Sequence, residues 1–209
     1  PPSPTHVPLL PSALSGSWIG GYTLPEQPLE QGYLILTLNA EGDGLTGQLV
    51  YPLQTRLQQL ADLTLVDGEM TFAFNNDIGP VQAVLAPDGA ALSGTVTQGE
   101  TASPFHLLRL GEASTEPLSG YTGLYAAAPD HLIGLYIGNE QFWVRDYQTG
   151  RMGILRPLAD GSFLLGAGLQ LYYPFVATIR FTVDTAGQIN SLTWTPGDGS
   201  APMTATRLP

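Results

Sequence analysis

The sequence predicts an all-β chain built as two small antiparallel barrels in tandem. Three observations carry that prediction: turn signals at short spacing, apolar residues alternating with period two, and a weak repeat of the first half of the chain in the second.

The turn signals are Glu41-Gly42-Asp43-Gly44, Asp67-Gly68, Pro87-Asp88-Gly89, Gly138-Asn139, Asp160-Gly161, Ala186-Gly187 and Gly197-Asp198-Gly199. Each supplies the positive φ or side-chain turn that a hairpin demands. Short apolar runs lie between them, at the spacing of about 8–12 residues that marks sandwiches and barrels. Within the runs, Leu34, Leu36 and Leu38 alternate with Thr37 and Asn39. Met70, Phe72 and Phe74 alternate with Thr71 and Ala73. Ala177, Ile179, Phe181 and Val183 alternate with Thr178, Arg180, Thr182 and Asp184. Period two with one apolar face means strands covered on one side only. Residues 132–137 are apolar on both faces, which predicts a strand covered on both sides. Leu53, Leu57, Leu60 and Ala61 have helical spacing, which predicts a helical turn or lid over 53–61 before Leu63 and Leu65 return to a strand.

The repeat matches Leu14-Ser15-Gly16-Ser17-Trp18-Ile19-Gly20-Gly21-Tyr22 with Leu118-Ser119-Gly120-Tyr121-Thr122-Gly123-Leu124-Tyr125. At the other end it matches Pro104–Leu110 with Pro202–Leu208. Each unit holds about eight strands, and an eight-stranded meander closes into a barrel because closure removes its edges. The expected organisation is a Pro-rich tether over 1–14, a first barrel over 15–110, a linker over 111–117 and a second barrel over 118–209. Trp18 is expected to plug the end of the first barrel.

Composition bounds the function. At 43% hydrophobic and 9% aromatic, the 209 residues bury a core, which excludes global disorder. The seven basic residues are all Arg and face 18 acidic ones, for a net charge of -11. That balance excludes a nucleic-acid partner and an anionic membrane surface. With no Cys, thiol catalysis, disulfides and Cys-based zinc sites are excluded. No apolar run approaches the roughly 18 residues that span a bilayer. Residues 1–11, with five Pro, read as an extended tether. A tether starting on Pro1 suits an exported, processed chain, secreted or periplasmic; a linker at the edge of an excised piece is the plainer alternative.

No G-x-S-x-G elbow is present; Gly16-Ser17-Trp18-Ile19-Gly20 misplaces the Ser. His6, His106 and His131 stand without an acidic residue at a diagnostic spacing, and no metal or nucleotide motif appears. No cofactor, metal or catalytic residue is assigned. The densest polar group is Glu140, Arg145, Asp146, Arg151 and Arg156. Arg forks bind carboxylates, so Arg145, Arg151 and Arg156 are candidate anchors of a ligand pocket; the structural alternative is an ion-pair network in which Asp146 meets Arg151 across the turn. Aromatics crowd the same half, and Trp143, Tyr147 and Tyr172 join the Arg residues as candidate ligand-binding residues. Rings that simply fill the barrel are the alternative.

The second unit resembles the lipocalin-like domains that bacteria attach to secreted serine hydrolases. The likeness is carried by Thr149-Gly150-Arg151, Leu155-Arg156-Pro157-Leu158, Phe163, Gly166, Pro174, Phe181, Gly187, Leu192 and Trp194. The first unit resembles the module that precedes it, through Trp18-Ile19-Gly20, Leu45-Thr46-Gly47, Val66-Asp67-Gly68, Phe72, Leu92-Ser93-Gly94-Thr95 and Gln98-Gly99. The resemblance implies lipocalin-like barrels acting as a non-catalytic accessory module, with a covalently linked or neighbouring α/β-hydrolase domain as partner. Related modules accompany serine β-lactamase-like proteins. The alternatives are a stand-alone binder of a small apolar or aromatic ligand, and an isomerase or cyclase using Glu140, Asp146 or Tyr147 in a barrel cavity. A monomer or weak dimer is expected.

Overall fold

The computed structural model describes residues 10–24, 27–31, 34–51, 56–75, 80–88, 91–111, 118–166, 177–197 and 199–209. The tether up to Leu9, residues 112–117 of the linker, and Tyr172 lie outside them. The chain divides into two compact units, one ending at Arg109 and the other starting at Leu110.

In the first unit a short helix, α1 (Pro11–Leu14), leads into β1 (Gly16–Leu24). The strands β2 (Gln27–Gln31), β3 (Leu34–Glu41), β4 (Gly44–Tyr51), β5 (Arg56–Gln59) and β6 (Ala61–Val66) follow. The unit ends with β7 (Glu69–Asn75), β8 (Pro80–Asp88), β9 (Ala91–Gln98) and β10 (Thr101–Arg109). All neighbours are antiparallel, in the order β5-β4-β3-β1-β10-β9-β8-β7-β6, with β2 an offshoot pairing β1. The sheet is nearly closed. Its two ends, β5 and β6, are halves of one bent strand: β5 pairs β4 and β6 pairs β7. The helical turn expected over 53–61 is therefore corrected where it is described: Arg56–Gln59 is strand, and Leu57 is exposed rather than on a buried face. The extended ladder to β4 provides backbone partners that a single helical turn would lack.

The second unit begins with a 3-10 turn at Leu118–Tyr121. Its strands are β11 (Gly123–Ala128), β12 (His131–Gly138), β13 (Gln141–Asp146), β14 (Met152–Pro157), β15 (Phe163–Gly166), β16 (Ala177–Val183), β17 (Ile189–Pro196) and β18 (Met203–Arg207). These eight form a closed antiparallel barrel in chain order, β18 returning to β11.

The period-two residues line the two interiors. Leu34, Leu36, Leu38, Met70, Phe72 and Phe74 join Trp18 and Tyr22 in the first core. In the second, Tyr121 packs at 4.7 Å from Phe181 and 5.4 Å from Phe163, and Phe163 lies 5.6 Å from Phe142. Val183, expected on this face, is exposed because β16 runs past the end of the core.

Each barrel is tied at one end by the same device. In the first, Arg109 on the last strand stands opposite Trp18 on the first. Its guanidinium lies 4.2 Å over the indole and donates to the Ser15 carbonyl at 2.8 Å and to that of Ala13. The indole N–H in turn donates to the Leu14 carbonyl, 3.0 Å away. In the second, Arg207 stands opposite Tyr125 and donates to the carbonyls of Thr122 at 2.6 Å and Gly120 at 3.2 Å. The Tyr125 hydroxyl donates to the Tyr121 carbonyl at 2.9 Å. Burial pushes the Tyr125 phenol above its ordinary pKa, and the Arg207 charge partly offsets this. Two residues before each aromatic is a glycine with positive φ, Gly16 (+126°) and Gly123 (+143°). A Cβ there would strain the backbone and approach the guanidinium, at 3.3 Å and 3.2 Å. Trp18 thus matches Tyr125, three residues out of step with the repeat as the sequence suggests it.

Removing either guanidinium leaves carbonyls at a barrel end without charge-assisted donors, a loss of about 1.5–3 kcal/mol. Arg109→Ala is expected to lower the urea midpoint of the first unit alone and Arg207→Ala that of the second, read by site-resolved hydrogen exchange. Equal loss in both units from either variant would contradict two independent ties.

Candidate functional site

The candidate residues of the second unit gather on the β12–β13 hairpin and the turn after it, but not inside the barrel. The strands pair from Gly138↔Gln141 to Ile133↔Asp146 around the turn Asn139-Glu140, both of which have positive φ. Ile133, Leu135, Phe142 and Val144 belong to the interior core. The alternate positions Gly134, Tyr136, Trp143 and Arg145 therefore face outward.

The expectation of a strand covered on both sides over 132–137 is corrected accordingly: Tyr136 is 37% exposed and Ile137 47%. The outward residues form a strip. Tyr136 and Trp143 are cross-strand partners with parallel rings, 8° apart in plane and 6.5 Å between centroids. The Trp143 indole donates to the Gly138 carbonyl at 3.0 Å. The tip of the Tyr147 ring lies over Gly134, where an added Cβ would come within 2.8 Å of Cε2 and 3.2 Å of Oη. The Arg145 guanidinium sits 5.2 Å from the Tyr147 ring. Trp143, Arg145 and Tyr147 are thus brought together, on the outer surface.

The three Arg residues do not converge on one pocket. Arg145 pairs with Met152, and Arg156 lies four residues further along β14, about 13 Å away. Arg151 is exposed at the turn's end, and Glu140 is exposed in the Asn139-Glu140 turn.

Asp146 builds the turn. Its side chain points inward and is buried. It accepts from the Gln148 amide at 2.9 Å, the Thr149 amide at 3.2 Å and the Thr149 hydroxyl at 2.8 Å. His131 Nε2 lies 3.1 Å from the same carboxylate. The backbone closes the loop, the Asp146 amide donating to the Arg151 carbonyl and the Tyr147 amide to that of Leu132. The carboxylate holds Thr149-Gly150-Arg151 in shape and anchors Tyr147 from below. His131, apparently isolated along the sequence, is its partner across the hairpin. The signal was available: a two-residue turn at Asn139-Glu140 fixes the register, and counting back puts His131 diagonal to Asp146.

The other described His is also paired. On the outer face of the first barrel, His106 Nδ1 lies 2.8 Å from the hydroxyl of Ser93, its cross-strand neighbour. A Ser–His contact is the first half of a nucleophile relay. Among the described residues no carboxylate orients this His, and no cluster of three His, Asp or Glu could hold a metal. Asp160 is likewise part of a turn. Partial burial pushes its carboxyl up, but the hydroxyl and amide of Ser162 and the Arg180 guanidinium outweigh that and hold it below the ordinary carboxylate range.

The chain matches no protein-family model and no curated protein at a significant level.

Asp146→Ala strands two amides, a hydroxyl and His131, and is expected to destabilise the second barrel by about 2 kcal/mol. Asp146→Asn, which keeps one acceptor oxygen, should fall between. Urea unfolding gives the size. Faster hydrogen exchange at the Gln148 and Thr149 amides gives the place, and unchanged protection there would refute the role of the carboxylate.

Proposed function

We propose that the chain is a non-catalytic accessory module of two lipocalin-like barrels, serving an exported serine α/β-hydrolase by shaping substrate access or assembly. One observation carries the reading: Asp146, the buried acid of the densest polar cluster, and its partner His131 are engaged with each other and with the turn that Asp146 builds. A general acid or base must face the substrate with a proton to give or take. Asp146 faces the core. The same arrangement commits Asp146, one of the three residues offered for a barrel-cavity isomerase, to the turn. The shared tie of Arg, aromatic residue and positive-φ glycine favours two copies of one barrel type, as does the resemblance in the turn and strand residues.

The 209 residues alone are expected to leave p-nitrophenyl butyrate unhydrolysed, and the reading frame beyond Pro209 to encode a G-x-S-x-G domain. Robust turnover by the chain, lost in Ser93→Ala, would overturn the reading in favour of the Ser93–His106 pair. Absence of such a domain both from this reading frame and from the neighbouring ones would overturn it too.

A second reading, a binder of a small apolar or aromatic ligand, rests on Ser103. Its hydroxyl is buried in the first barrel with no hydrogen-bond partner among the described residues. It sits two residues from Phe105, whose ring lies 5.5 Å from Tyr22, and opposite Val96. An unpaired buried hydroxyl costs about 1–3 kcal/mol, and a ligand atom that pairs with it recovers that cost. A hydrophobic-dye titration is expected to show saturable binding that Ser103→Ala weakens; absence of saturable binding removes this reading.

A further inference from the structure

We propose that the outer strip of Tyr136, Trp143 and Tyr147 on the second barrel is a binding platform for a linear polysaccharide. The proposal is independent of the hydrolase reading, since it concerns only what this surface holds.

The strip is built by its glycines. Gly134, Tyr136 and Gly138 are the successive outward positions of β12. A side chain at Gly134 would enter the space of the Tyr147 ring, whereas a Cβ at Gly138 would only touch Trp143 at 3.7 Å and Tyr136 at 3.8 Å. The result is a row of aromatic surface two residues in period, about 7 Å along the strand. Two of its members are open to solvent, Tyr136 at 37% and Tyr147 at 52%. The Tyr147 end is fixed from beneath by the Asp146 turn, so the ring is presented on a rigid support.

The surroundings narrow the occupant. The second barrel is closed, so a peptide cannot add as an extra strand. A net charge of -11 repels nucleic acid and a second copy of the chain alike. A few exposed rings fall short of the roughly 800 Å² per partner that a stable dimer buries. Small apolar ligands take concave sites that enclose most of their surface, and this face is the outside of a barrel. An open row of rings on a convex face suits an extended, uncharged polymer with flat C–H faces and many hydroxyls. Sugar rings offer polarised C–H groups to the negative face of an aromatic ring. The Arg145 guanidinium lies over the Tyr147 ring, 5.2 Å from its centroid, and so stands hydrogen-bond donors next to the platform for sugar hydroxyl oxygens.

The probes are insoluble cellulose, chitin and xylan for pull-down, and soluble starch, mannan and xylan for affinity electrophoresis, with the full chain. Retention by at least one of them is expected. Tyr147→Ala and Tyr136→Ala should each weaken it about tenfold. Tyr147→Phe should retain it, and Gly134→Val, which keeps Tyr147 but displaces its ring, should weaken it like the Ala variant. Unfolding midpoints checked in parallel separate loss of binding from loss of fold. Retention on none of the polymers, or retention that Tyr136→Ala and Tyr147→Ala leave unchanged, overturns the platform. Neither result bears on whether a hydrolase domain follows Pro209.

Discussion

An arginine on the last strand of each barrel, reaching back to the segment that enters the first, is the contact on which the architecture rests. A meander brings its two ends together only after every other strand is placed, so closure carries the longest loops and the least local support. Arg109 bonds carbonyls 94 and 96 residues earlier in the chain, and Arg207 carbonyls 85 and 87 earlier. The guanidinium has enough donors to take several carbonyls at once, which one strand-to-strand rung cannot do. The aromatic partner supplies the flat surface or the hydroxyl that fixes the same segment, and the glycine lets the backbone pass close to the charge. Arg, ring and glycine form one unit.

Closure then decides where function can sit. An interior walled by eight short strands is filled by the apolar residues that alternation directs inward, as the ring cluster of Tyr121, Phe142, Phe163 and Phe181 shows. Polar groups that enter the walls or turns are drawn into building them. Asp146, Asp160 and His131 each complete a turn or hairpin. What is left for partners is the outer face of the sheet, where the rings of Tyr136 and Tyr147 stand, and the buried Ser103 hydroxyl.

The elements that were legible in the sequence are those set by local geometry. Gly42, Gly68, Gly161 and Gly187 all fall in turns with positive φ, and the Leu34–Leu38 and Met70–Phe74 alternations are buried as their period demands. Illegible parts were those where two readings share one pattern. Over 53–61, leucines at helical spacing also suit a strand whose partners change midway. In the segment Phe142 to Asp146 both faces carry large residues, so alternation could not say which pointed inward. The charged Asp146 faces the core only because the turn behind it supplies donors. A positively charged neighbour was the natural guess for Asp146; amides and a histidine across the hairpin are what meet it. The register of the repeat misled by three residues because small residues flank both glycines, and only the arginine opposite each aromatic fixes the match.

The two barrels reach the same shape with unequal seams. In the second, every strand is bonded on both sides by backbone. In the first, the chain breaks at Leu60 between β5 and β6, and the wall is carried across the break by single contacts. The Leu60 amide donates to the Gly47 carbonyl at 2.9 Å. The Gln58 side-chain amide then stands in for a rung of ladder: its Nε2 donates to the Asn75 carbonyl at 2.5 Å, and its Oε1 accepts from the Asn75 amide at 3.0 Å. A primary amide has the donor and acceptor of a peptide group, so the imitation is chemically complete. It hangs on a side chain free to rotate, however, and it is exposed to water. A Cβ at Gly47 beside it would lie 2.7 Å from the end of the Leu60 side chain and 2.9 Å from that of Leu38, so both would have to shift. The first barrel therefore joins a wall bridged by a side chain to a closely packed glycine. It is also the barrel in which the Ser103 hydroxyl is buried with no partner among the described residues.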